Sequence, residues 1–179
     1  LGATPGTIEG ARVLSFTISG ASLFAGTGGA LSADRSTVVT TGATGFSVTG
    51  ASLALATVSK GTTSFTGLEA TVSNASLVGV SGVDVRVGGA VRVNTTSVAG
   101  GQRINWTVAT RTSNDPGNLI PALMLTRAQE LQASGNASLN IGGNVVAVVT
   151  SLTLDMATTN VVTGNAAIVG LGATAGLIE

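Results

Sequence analysis

Apolar residues recur at every second position in several stretches of this 179-residue chain. Leu14, Phe16 and Ile18 alternate with Ser15 and Thr17, and Phe46 and Val48 alternate with Ser47 and Thr49. The clearest run covers residues 83–93. There Val83, Val85, Val87, Gly89, Val91 and Val93 stand between Asp84, Arg86, Gly88, Ala90 and Arg92. A period of two sends successive side chains to opposite faces of a strand. The run therefore predicts a strand with Val85, Val87 and Val91 buried, and with Arg86 and Arg92 in solvent on the other face. Ile104, Trp106 and Val108 continue the style, as do Leu131, Ala133, Gly135, Ala137, Leu139 and Ile141, then Leu152, Leu154 and Met156.

The apolar phase flips at Gly20-Ala21 and at Gly50-Ala51. Phe16 and Ile18 are even-numbered, whereas Leu23 and Ala25 are odd. Glycine accepts backbone angles that other residues resist, so a Gly at a phase flip predicts a bulge or a corner. The step belongs to a degenerate unit: Gly20-Ala21-Ser22-Leu23, Gly50-Ala51-Ser52-Leu53, Asn74-Ala75-Ser76-Leu77 and Asn136-Ala137-Ser138-Leu139. Its spacing is irregular, as expected of strand units joined by loops of different length. Residues 119–133 resist the pattern. Leu123, Met124, Arg127, Ala128, Gln129 and Glu130 are good helix formers and Pro121 suits a first turn, but the segment also reads as a strand running into Ala133. Residues 114–118, Asn-Asp-Pro-Gly-Asn, predict a turn or loop.

The two ends resemble each other. Residues 1–9 read LGATPGTIE and residues 171–179 read LGATAGLIE, with two differences in nine positions. The expectation is one β-repeat module over 1–170, with 171–179 opening the next tandem copy.

Composition narrows the class. Only 9% of residues are charged and 3% aromatic, against a charged share of roughly 25% in ordinary domains. Eight Lys+Arg balance eight Asp+Glu, and the basic residues are scattered. Nucleic-acid binding needs clustered Lys and Arg to neutralise phosphates, so it is not expected. Small and β-branched residues instead suit closely packed pleated surfaces. The expected fold is all-β: an elongated, stacked-strand, β-solenoid-like repeat module. An antiparallel β-sandwich or curved antiparallel sheet is the alternative, because the strand at 83–93 is long for a solenoid face.

Residues 67–96 read GLEATVSNASLVGVSGVDVRVGGAVRVNTT. This resembles the giant bacterial β-strand repeat proteins, whose units follow a pattern of the kind G-x-A-S-L-V-G-x-x-G-V-x-V before an alternating strand ending in V-N-T-T. Residues 45–55 (GFSVTGASLAL) and 132–143 (QASGNASLNIGG) look similar to neighbouring units. The resemblance implies a large secreted or surface-attached, adhesin-like protein of many repeats. It supplies no catalytic residues.

Candidate chemistry is sparse. The chain has no Cys and no His, which excludes disulfides and Cys/His metal sites. The carboxylates form no close pair along the sequence, and the only Lys is Lys60; the chain is read as not an enzyme. Calcium is the one cofactor considered, on Asn114, Asp115 and Asn118, where the simpler reading is a turn capped by its own side chains. Asn74, Asn94, Asn105 and Asn136 head Asn-x-Ser/Thr sequons, read as ordinary strand and turn residues. No apolar run is long enough for a membrane-spanning helix, and no signal peptide is read at Leu1. The expected role is a structural spacer or filament-forming repeat of a bacterial surface or extracellular protein. Its expected partners are neighbouring copies end to end. The alternative is an adhesive module for a surface, a glycan or a partner cell.

Overall fold

The computed structural model describes residues 6–109, 117–159, 161–162 and 177–178. Its elements are β1 (Arg12–Thr27), β2 (Ala30–Leu31), β3 (Val38–Val39), β4 (Thr44–Lys60), β5 (Thr63–Val78), β6 (Val83–Thr96), α1 (Trp106–Ala109), β7 (Gln129–Ile141), β8 (Asn144–Ala157), β9 (Val161–Val162) and β10 (Leu177–Ile178). The chain is all-β. Six long strands make one open sheet in the order β1-β4-β5-β6-β7-β8, and every pairing is antiparallel. Tight turns join β4 to β5, β5 to β6 and β7 to β8, which makes these chain neighbours sheet neighbours. Gly142 and Gly143 join β7 to β8 with φ of +64° and +81°, the left-handed pair that a two-residue hairpin requires. The six long strands form one open antiparallel sheet, in keeping with the all-β expectation.

The repeated Gly-Ala units fall side by side. Ala21 pairs with Ala51, Thr49 with Asn74, Ala75 with Val87, Gly88 with Asn136, and Gly135 with Leu152. They form a single crease across the sheet. In β1 and β4 it is made by Gly20 and Gly50, both at φ +66°. β5 and β8 each carry one residue more than their partners at this line, between Val72 and Ala75 and opposite Gly135–Ala137. β6 and β7 cross it in unbroken register, from Val83↔Ile141 to Val93↔Leu131, and keep their apolar residues odd-numbered throughout. The phase flips thus have a structural purpose. The added residue returns the apolar positions of the flanking strands to the face used by β6 and β7.

Cross-strand partners share a face. On one face Phe16, Leu55, Leu68, Val93, Leu131 and Met156 form a row across all six strands, and Ile18, Leu53, Ala70, Val91, Ala133 and Leu154 form the next. Beyond the crease the row continues as Leu23, Val48, Ala75, Val87, Ala137 and Val149.

The buried core does not lie on these rows. It sits on the opposite face, where residues 97–109 and 117–128 fold over one end of β4–β6. Ala56, Val58, Trp106, Leu123 and Leu125 are its buried members. Gly67 makes the room: a Cβ there would lie 2.6 Å from the Trp106 ring. Asn94, fully buried, accepts a 2.9 Å bond from Trp106 Nε1 and donates to the carbonyls of Ile104 and Thr126.

Three expectations are corrected here. Val87 and Val91 are each 42% exposed, not buried, because no described segment covers their face. Trp106 and Val108 are not in a strand. Asn105 starts a helical turn, its carbonyl accepting from the N–H groups of Val108 and Ala109. Residues 119–133 follow the strand reading only from Gln129, where β7 begins and runs through Ala133, whereas residues 119–126 are neither helix nor strand. They are extended enough to bury Leu123 and Leu125 on one side while Met124 is 66% exposed on the other. Tertiary bonds replace a helical ladder: the Leu125 carbonyl accepts from the Trp106 and Thr107 N–H groups, and the Met124 N–H donates to Glu69 Oε2.

These corrections invert an expected pair of mutational effects. The sequence pattern makes Val87→Asp severe and Arg92→Ser mild. In the folded chain Val87 faces solvent. Arg92 donates twice to Glu69 Oε1, at 2.9 and 2.7 Å, and once to Gln132 Oε1, at 2.8 Å. Arg92→Ser is expected to cost about 1–3 kcal/mol, the range for lost bonds to a charged group. Val87→Asp is expected to cost the isolated chain less. Urea denaturation of both variants checks the order, and a more damaging Val87→Asp would show that its face is covered.

Candidate functional site

The most distinctive surface is the apolar face of the sheet, which no described segment covers. Six strands at about 4.8 Å spacing, with about 12 residues each at about 3.4 Å, span roughly 1,000 Å². Contiguous apolar patches on monomeric soluble proteins are typically about 300–600 Å² at their largest. Leu14, Phe16 and Leu23 on β1 are 64%, 51% and 60% exposed, and Leu152, Leu154 and Met156 on β8 are 64%, 57% and 48% exposed. Small residues fill the middle: Ala70, Ala75, Ala133 and Ala137 all stand in the apolar rows of β5 and β7.

Charge is segregated. Of the charged strand residues, only Arg12, opposite Ser59 at the outer end of β1, has the register of the apolar face. Glu69, Asp84, Arg86, Arg92, Glu130 and Asp155 alternate to the other side. There they pair with one another or with the covering segment. Glu69, Arg92, Gln132 and Asp155 form a polar ladder across β5, β6, β7 and β8, closed by Gln132 Nε2 donating to Asp155 Oδ1 at 2.7 Å. Arg103 Nη2 reaches Glu130 Oε2 at 2.6 Å. The ladder holds adjacent strands in register, and its carboxylates are engaged by cations and amides.

A second concavity, of about 700 Å³, lies between residues 95–103 and 127–130 and beside Thr158. Arg103, Arg127, Glu130 and Gln102 give it polar walls, and no aromatic ring lines it. A sugar ring would find hydrogen-bond partners there but no stacking platform. Trp106, the only Trp, is fully buried and bonded to Asn94.

Of the calcium candidates, Asn114 and Asp115 lie outside the described residues. Asn118 is described and has φ +48°, as befits Asn in a tight turn. Among the described residues no group of three or more His, Cys, Asp or Glu comes together. The sequons separate in space: Asn94 is fully buried, whereas Asn74 and Asn136 lie on the crease.

One carboxylate is strongly perturbed. Asp34 lies in the turn between β2 and β3. It accepts bonds from the Ser32 hydroxyl at 2.6 Å, the Ser36 hydroxyl at 2.8 Å and the Ser36 N–H at 3.1 Å. These bonds, the Ser32 hydroxyl foremost, favour the charged form and hold its pKa at about 2, below the usual 3.8. A depressed folded-state pKa stabilises the turn above the unfolded value, and that contribution is lost as pH falls through the folded one. The expected titration of the Asp34 carboxyl carbon, followed by NMR, has its midpoint near 2. Ser32→Ala should move it toward 3.8, and an unchanged midpoint would refute the assignment. The group is exposed, and its bonds to Ser32 and Ser36 staple the turn.

Sequence reasoning missed Asn94 as a structural residue. The available signal was a polar side chain on the polar phase of a strand, which reads as solvent-facing until the covering segment is known. Comparisons with family models, with curated proteins and with solved structures found no match to this chain.

Proposed function

We propose that this chain is a non-catalytic structural module, a spacer or filament-forming repeat of an extracellular or cell-surface protein. The observation that carries the reading is the crease. The Gly-Ala units recur in sequence, and they meet as one line across the sheet, where Gly20 and Gly50 share a left-handed φ of +66° and the Asn74 unit adjoins the added residue of β5. The repetition therefore serves architecture and requires no ligand. β1 and β8 are the outer strands of the sheet. Edges of this kind are templates for a further strand, which suits a module that continues into a neighbouring copy. An adhesive module for a glycan or surface is the competing role.

Tandem chains of one, two and four copies, measured by small-angle X-ray scattering, test the proposal. A spacer grows by a constant increment of length per copy. A glycan array read in parallel discriminates the adhesin: saturable binding to one glycan class, with no regular increment in length, overturns the spacer reading.

A further inference from the structure

We propose that this apolar face of the sheet is a self-association surface, and that two copies of this chain pack face to face as the two layers of a β-sandwich. The inference goes beyond the spacer reading and does not depend on it.

Three observations select a second copy as the occupant. The first is area. One face offers roughly 1,000 Å², so two faces together remove about 2,000 Å² from water, the upper end of the range for stable specific interfaces. The second is charge. Past Arg12 at its rim the apolar face carries no ionised side chain in the register of its rows. Self-pairing about a two-fold axis brings like against like, and a neutral face meets its own image without repulsion. The third is relief. Near the crease β5 and β7 carry only Ala70, Ala75, Ala133 and Ala137 in the named rows of this face, with Leu68, Leu77, Leu131 and Leu139 toward the strand ends and Phe16, Leu23, Leu152 and Leu154 on the outer strands. Stacked sheets approach to about 10 Å with interdigitating side chains. The small centre permits that approach and the bulky margins close it off. A lipid surface is disfavoured. Interfacial binding uses Trp or Tyr at the boundary and Lys or Arg beside it, but the chain has no Tyr and its one Trp is buried under the opposite face.

Sedimentation velocity of the whole chain tests the proposal over roughly 0.1–100 µM, since interfaces of this size range from micromolar to tighter. The expected result is a concentration-dependent dimer. Val87→Asp, at an exposed position on a central strand, should weaken it by about 100-fold or more, because the two-fold axis buries the unpaired charge twice. Far-UV circular dichroism and the emission of buried Trp106 should stay as in the parent, showing that the fold survives. Arg86→Glu, on the same strand but the opposite face, should leave the dimer intact. A monomer at every concentration overturns the proposal. So does a dimer that ignores Val87→Asp, which would place the contact at the β1 or β8 edge. Binding to phosphatidylcholine vesicles in place of self-association also overturns it, by naming lipid as the occupant.

Discussion

Replacing Trp106 by Ala is expected to destabilise the chain by about 3–5 kcal/mol, the range for emptying a large buried aromatic site. Trp106 is completely buried, against Ala56, Val58, Leu123 and Leu125. It fills the space that Gly67 leaves open on the sheet. Its removal deletes contacts that fasten the segments around Trp106 and Leu123–Leu125 to the sheet. It also strips Asn94 Oδ1 of the N–H that it accepts from the indole. Urea denaturation followed by far-UV circular dichroism gives the number. A cost under about 1 kcal/mol would mean that the covering segment contributes little and that the sheet stands without it.

The second large effect is expected at Asn94. Asn94→Leu keeps the side-chain volume nearly unchanged, so it separates hydrogen bonding from cavity formation. It removes a partner from the Ile104 carbonyl, the Thr126 carbonyl and the Trp106 indole N–H together. Each buried polar group left unsatisfied costs about 1–3 kcal/mol, so a total of about 3 kcal/mol or more is expected. Trp106→Phe loses the same indole bond from the other side. A double-mutant cycle of the two should therefore be strongly non-additive. Additive costs would show that the 2.9 Å bond between them carries no coupling. Asn94 also fixes the path of the covering segment, because its amide donates both to the incoming chain at Ile104 and to the outgoing chain at Thr126.

Strand content and the phase flips are legible in the sequence because both are local. Alternation of Val and polar residues at 83–93 forces one apolar edge whatever the partner strands are. A flip at Gly20-Ala21 or Gly50-Ala51 demands an irregularity there, and both glycines hold the left-handed φ of +66°. The alignment of those irregularities into one crease is not local. It follows from a register set by turns such as Gly142-Gly143 and by pairings between residues distant along the chain.

Periodicity names two faces but does not say which one is covered. Val87 and Trp106 illustrate the difference. By pattern both belong to apolar alternations, and Val87 sits in the better one. Yet Val87 is 42% exposed and Trp106 fully buried. The segment following β6 folds over the polar-phase side, where Gly67 leaves a hollow and Asn94 offers bonds. The same tertiary contacts override the helical propensity of residues 119–128, because the bonds that Leu125 and Met124 make to Trp106, Thr107 and Glu69 need an extended backbone. The sequence by itself determined the strands, their phase and the glycines at which the phase changes, since each depends only on neighbours along the chain. The tertiary structure alone decided the strand order, the covered face and the position of the core, since burial depends on which distant segment arrives, and that choice is made by shape and by unsatisfied polar groups.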